Sequence, residues 1–470
     1  MSSPFQKVGF GLAFLLSATL AIPPGRGEQG LPAPGTGVVR DFTLPERNKE
    51  GVLIWQLAGK HAKLRPDNKM EINQLLLSTF RKTVVDWTLS TPTCILNRES
   101  REAISESPVL IVNDRVEITG TGFHWLANES CFIIRTNAKV ILPDGISKSV
   151  VAEETPPPAP APVNGTPSKT ATTITSNLLN FDYEKRVATF EENVVAVDPQ
   201  LTVKCKKMVV YFSDKNSEVI RVEGAGDVHL LHEGKEAVGE KSVFTRETGI
   251  VVLTEGTPRL LDEKGNWVKG TSIIYNTQTK IMKVEKPRLE FLPSSGGNML
   301  DSQRSELKTP GSFVICAGAD VKGLFSPPNA TNNPSKKPST IDAKFLNYDY
   351  ERHMATFEGD VLVVDAQLTL KCKKMIVYFS DKSNEVLRVE GYGNVHILQQ
   401  GKEAVSEKAV FTRESGILVL TEGNPSMKDE KGNWVEGERI IYNTQTKMMH
   451  VEKAKVKFKP SSGSSGSGGK

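Results

Sequence analysis

The residues best suited to chemistry come in duplicate. Asp182 and Glu184 flank Tyr183, and Asp349 and Glu351 flank Tyr350; two carboxylates this close suggest the acid and base of glycoside hydrolysis. Such a pair needs an accompanying acid-base set, and neither copy supplies one. Acidic residues at a strand-to-turn joint more often shape the turn. His229 and His396 share the context Val-His-(Leu or Ile), and no histidine stands at ligand spacing from cysteines or carboxylates, so no metal site is expected. The sequence has no GxSxG, no HExxH, no phosphate loop and no GxGxxG opening a helix. The expectation is a protein without catalytic residues or cofactor.

Two further groups remain. The cysteines are Cys94, Cys131, Cys205, Cys316 and Cys372, with no CxxC among them. Cys205 and Cys372 continue an apolar alternation and read as small buried residues; a Cys94–Cys131 disulfide stays open. The basic run Lys204, Lys206, Lys207 returns as Lys371, Lys373, Lys374. Ammonium groups at that spacing attract phosphates or acidic sugars, and equally they guard a strand edge against aggregation.

Positioning the carboxylates, the lysines and Cys205 with Cys372 falls to one stretch that occurs twice. Residues 181–212 and 348–379 align without a slip, Cys205 and Cys372 standing 372 − 205 = 167 positions apart, as do Trp267 and Trp434. The copies run over residues 172–291 and 339–458, too long for a solenoid turn and suited to a duplicated domain. Strand, turn, strand follow one another with Asp-Lys-Asn and Glu-Gly joints and no sustained helical period, which predicts an all-β sandwich or barrel. Alternation places Phe190, Val194, Leu201, Val203, Cys205, Met208, Val210 and Phe212 on one face, with a bulge between Cys205 and Met208. Phe357, Val361, Leu368, Leu370, Cys372, Met375, Val377 and Phe379 match them in the second copy.

Before the copies, residues 38–142 hold short β-branched runs, and the stretch from Asn68 to Arg81 is read as strand rather than helix because its neighbours are strands. Gly120-Thr121, then Trp125 and Asn128, then Phe132 to Ile134 there echo Gly270-Thr271, then Tyr275 and Asn276, then Ile281-Met282, which suggests a third, diverged unit. Residues 152–171 form a Pro/Ala-rich spacer and 292–338 a second one, whose apolar run from Ser312 to Cys316 is a candidate extra strand; the tail 459–470 is Gly/Ser-rich. Residues 1–24 carry Lys7, an apolar run from Val8 to Ile22 and Pro23-Pro24. That order fits a secretory signal, the alternative being a membrane anchor, for which the run is short against the roughly 20 apolar residues a spanning helix needs. With 59 basic and 55 acidic residues the formal net charge is +4, and no field points to nucleic acid.

The strands carry a resemblance. Ile174 to Asp182, Ala188 to Val194, Leu201 to Phe212 and Val222 to Val228, with their second-copy equivalents, resemble the OstA-type domains of the lipopolysaccharide-transport family (LptA, LptC and the N-terminal domain of LptD). Residues 38–142, with the Val116 to Trp125 step, resemble the LptC-like variant. The resemblance implies tandem open, twisted β-jellyrolls with a greasy interior that carries acyl chains, stacked edge to edge, exported to the periplasm, and bound to the inner membrane if residues 1–24 are kept. It implies lipopolysaccharide or a related glycolipid as ligand, an inner-membrane export complex and an outer-membrane assembly protein as partners, and edge-to-edge self-association.

On that reading the lipid-lining candidates are Phe190, Val194, Leu201, Val203, Met208, Val210, Phe212, Phe357, Val361, Leu368, Leu370, Met375, Val377 and Phe379. Lys204, Lys206, Lys207, Lys371, Lys373 and Lys374 are candidates for an anionic headgroup. The alternative is a structural or adhesive envelope protein whose apolar faces are ordinary sandwich cores.

Overall fold

Along Thr202–Phe212, Cys205, Met208, Val210 and Phe212 are buried while Lys204, Lys206 and Lys207 are exposed, as period-two side chains must be when one face meets a core. Leu368–Phe379 repeats this with Leu368, Leu370, Cys372, Met375, Val377 and Phe379 inside. The computed structural model describes residues 38–146, 171–291 and 339–457, apart from residues 66, 68, 200, 216, 233–234, 262–266, 366–367 and 382–384. Within them lie 31 strands in one antiparallel sheet and no α-helix, only the 3-10 turn Ala127–Glu129. The all-β class is as expected, and the stretch read as strand before Arg81 is the strand Lys69–Arg81. The signal or anchor, the apolar run at 312–316 and the tail fall outside the described residues.

Each long strand bends at the same level. The ladder between Val187–Val197 and Thr202–Phe212 slips register between Glu191 and Val194, and the next ladders slip between Lys204 and Lys207 and between Ala225 and Val228. The second copy repeats the slips at Glu358/Val361, Lys371/Lys374 and Tyr392/Val395. A bulge bends its strand, so bulges aligned across neighbouring strands fold the sheet along a line. Gly226, Asp227, Gly359, Asp360, Gly393 and Asn394 on that line all have φ between 47° and 81°, a region where glycine, asparagine and aspartate are the residues least strained. The fold divides each copy into two arms. In the first, the front arm includes Leu178–Asp182, Ile250–Thr254, Ser272–Asn276 and Ile281–Glu285; the rear arm includes Thr172–Ser176, Arg259–Leu261, Trp267–Lys269 and Arg288–Phe291. The result is a tandem of open, twisted jellyrolls.

Successive units share the sheet. Cys131–Leu142 pairs with Thr172–Ser176 and Leu178–Asp182; Ile281–Glu285 and Arg288–Phe291 pair with Phe345–Asp349 and Ser339–Asp342. Trp125 faces Phe132 across its ladder as Tyr275 faces Met282, so the hairpin behind the faint sequence echo has the same register in both places. Its glycine has a reason. A Cβ on Gly270 would lie 2.5 Å from Val284 Cγ1 and 2.6 Å from the Glu285 carbonyl, and Gly120 and Gly437 stand equally close to Ile134 and Val451. Only a bare Cα lets that apolar side chain cross it.

Polar groups reinforce the first junction. Arg186 Nη2 lies 2.5 Å from Asp86 Oδ1, both side chains largely buried, and the guanidinium sits over Trp87, itself edge-on to Phe181 at 4.7 Å. Asn113 donates to Ser217 Oγ at 3.2 Å, and Arg115 pairs with Glu218 at 3.4 Å.

Candidate functional site

In the first copy the two arms leave a gap between them. The cleft has a volume of about 210 Å³. Met208, Val222, Phe244, Val251, Leu253 and Ile273 line it from the front arm, and Ala196, Leu201, Val203, Leu230, Ala237 and Leu260 from the rear. The walls are thus almost wholly hydrocarbon. At the lip nearer the second copy stand Tyr275, Thr277, Lys280 and Tyr350. Tyr350 donates its hydroxyl toward Met282 Sδ at 3.8 Å and packs edge-on against Tyr275 and Tyr348. Burial holds the Tyr275 phenol neutral well above the ordinary tyrosine range. Asp198 and Ile146 form the opposite lip.

The second copy is filled at the equivalent places. Leu370 and Leu418 stand where the first copy has Val203 and Val251, each one methylene longer, and all of Leu370, Ile397, Phe411 and Leu418 are buried. Val203, Leu230, Phe244 and Val251 are only half-buried. These two added methylenes, with Val363 standing where the first copy's lining has Ala196, leave less room between the arms.

Of the residues assigned to an apolar interior, Leu201, Val203 and Met208 line the cleft. Phe190, Val194, Val210 and Phe212 are buried outside that lining, within the packed core. Phe357, Val361, Leu368, Leu370, Met375, Val377 and Phe379 are all buried in the second copy. The lysines point outward near the fold line. Lys206 pairs with Asp227 at 2.5 Å, Lys207 with Glu191 at 2.8 Å and Lys374 with Glu358 at 2.9 Å. None of Lys204, Lys206 and Lys207 borders the cleft, whereas Lys280 does. Sequence reading passed over Lys280 because nothing in its turn, Gln278-Thr279-Lys280, marks it as facing an interior.

The paired carboxylates are turn residues. Asp182 accepts from the Lys185 amide at 2.8 Å and Asp349 from the amides of Glu351 and Arg352 at 3.1 and 2.9 Å; Glu184 accepts from Ser130 Oγ at 3.0 Å. His396 Nε2 lies 2.7 Å from Glu403 on the outer face, and His229 contacts Glu236 through its other ring nitrogen, Nδ1. Cys94 and Cys131 are both free thiols and buried, so the disulfide left open by the sequence is not formed. Among the described residues no three metal-ligating side chains converge, and no helix is long and apolar enough to cross a membrane.

Comparison with known proteins bears on the copies. Residues 173–281 and 340–448 match the family model described as the LptA/(LptD N-terminal domain) LPS transport protein. No curated protein matches the chain. Among solved structures, LptH of Pseudomonas aeruginosa, the LptA homologous periplasmic component of the conserved lipopolysaccharide transport device, is 18% identical over 26% of this chain and 96% of its own, with a TM-score of 0.24.

Proposed function

Because both copies are units of the LptA/LptD N-terminal family of lipopolysaccharide transport proteins, we propose that this chain helps carry lipopolysaccharide or a related glycolipid through the periplasm, holding acyl chains between the arms without covalent chemistry. The cleft is the observation that carries this reading. Acyl chains avoid water at about 0.8 kcal/mol per methylene, and an apolar cavity of about 150 Å³ in another protein already stays dry and takes up benzene. At about 210 Å³, with Leu201, Val203 and Met208 in its wall, the cleft suits a stretch of alkyl chain. On this reading Lys280, which borders the cleft, meets a phosphate, and the outward lysines 204, 206, 207, 371, 373 and 374 meet anionic groups further from the cleft.

The bridging role is part of the same proposal. Among the described residues the strand Val38–Arg47 pairs on one side only, and so do Met449–Glu452 and Lys455–Lys457. Strand addition at these edges would join the chain to an inner-membrane export complex at one end and an outer-membrane assembly protein at the other, or to a second copy of itself.

A photoreactive residue at position 203 of the full chain, mixed with lipopolysaccharide, tests the lipid reading, with position 206 on the outer face as control. Crosslinking from 203 and not from 206 is expected. No crosslink from 203, together with purified protein free of lipid, would sink the reading in favour of an envelope protein that contacts only other proteins.

A further inference from the structure

Two residues in the cleft come from outside the first copy, Tyr350 of the second copy and Ile146. Ile146 lies beyond the strand Cys131–Leu142, after a turn closed by the Gly145 amide donating to the Leu142 carbonyl at 3.1 Å, with Gly145 at φ +66°. Its own amide donates to Thr172 Oγ1 at 3.0 Å and reaches Asp198 Oδ2 at 3.4 Å, and Thr172 Oγ1 donates to the same carboxylate oxygen at 2.5 Å. Thr172 is fully buried. The backbone is therefore pinned by a carboxylate and a hydroxyl while the side chain packs on the core and lines the cleft. Ile146 stands at the end toward the N-terminal strands, and Tyr275 and Tyr350 stand at the end toward the second copy.

We propose that Ile146 is the chain stop of the first copy's cleft, limiting how many methylenes of an alkyl chain the cleft accepts. The inference rests on the lipid-binding reading. The same hydroxyl–carboxylate pair recurs as Ser339 and Asp365 at 2.5 Å, and the residue pinned in the first copy is delivered from outside the repeat. A side chain held in place by its own backbone contacts can be shortened or enlarged without disturbing a strand.

The test uses the full chain and a series of saturated fatty acids from decanoate to octadecanoate, each binding constant measured by calorimetry. In the unaltered chain affinity rises about fourfold per methylene, the equivalent of the burial energy of one methylene, and then levels off. Ile146→Ala is expected to move the levelling point to longer acids, with a gain of about four- to sixteenfold for the longest; Ile146→Trp is expected to move it to shorter ones. Levelling at the same length in both variants and the unaltered chain would overturn the chain stop while leaving lipid binding intact. Failure of the unaltered chain to bind any of the acids would overturn both.

Discussion

Met282 and Met449 occupy the same place in successive copies, 449 − 282 = 167 residues apart, yet Met282 is 2% exposed and Met449 46%. Met282 lies in a ladder between Tyr275 and Tyr348 of the next copy; Met449 pairs with Tyr442 alone. Leu289 and Val456 repeat the contrast. The junction, and not the copy, buries this strand.

A charge at the two positions therefore has unequal effects. Met282→Lys buries an unpaired ammonium and is expected to cost about 3 kcal/mol or more. Met449→Lys should stay within about 0.5 kcal/mol while removing head-to-tail association. Urea unfolding measures the first, sedimentation velocity the second.

Arg186→Ala leaves the Asp86 carboxylate buried beside Trp87 without its partner at 2.5 Å. Breaking a buried pair from one side costs about 3–5 kcal/mol. Asp86→Ala combined with Arg186→Ala should cost less than the two single changes added, and a double-mutant cycle on the unfolding of the N-terminal strands would show it.

The second copy supplies the means to narrow the first. Val203→Leu with Val251→Leu gives the first copy the side chains found at Leu370 and Leu418, filling cleft volume with hydrocarbon. Stability should hold or rise, and crosslinking of lipopolysaccharide from the Leu201 wall should fall several-fold. Unchanged crosslinking would remove the cleft from consideration.

Burial raises the thiols of Cys131, Cys205 and Cys372 to about 11 and that of Cys94 to about 12. The neutral form is favoured in the fold, so the stability it contributes is complete below the ordinary thiol value and lost as the pH climbs through the raised ones. At pH 8 these four thiols should resist a chromogenic disulfide in the native protein and react fully once it is unfolded. Rapid native labelling of Cys205 would contradict its buried position.

What the sequence carries and what it withholds differ in physical kind. Alternation reports on a residue and its own strand, so Cys205, Met208, Val210 and Phe212 could be placed inside, and Lys204 and Lys206 outside, before any coordinates. The echo of Gly120 in Gly270 marks a close approach that any larger residue would block. Contacts between distant residues leave no such trace: Arg186 and Asp86 are 100 positions apart, and neither neighbourhood announces the other. The cleft depends on single methylenes, Val203 against Leu370, which an apolar pattern counts as equal. Ile146 stands in a turn outside every repeat, where periodicity has nothing to say.

The junction between units joins one surface to a different one, and each added unit presents again the edge it has covered. Such a heterologous contact does not close on itself and sets no limit to growth. Among the described residues the strand Lys455–Lys457, paired only with Trp434–Glu436, presents such an edge.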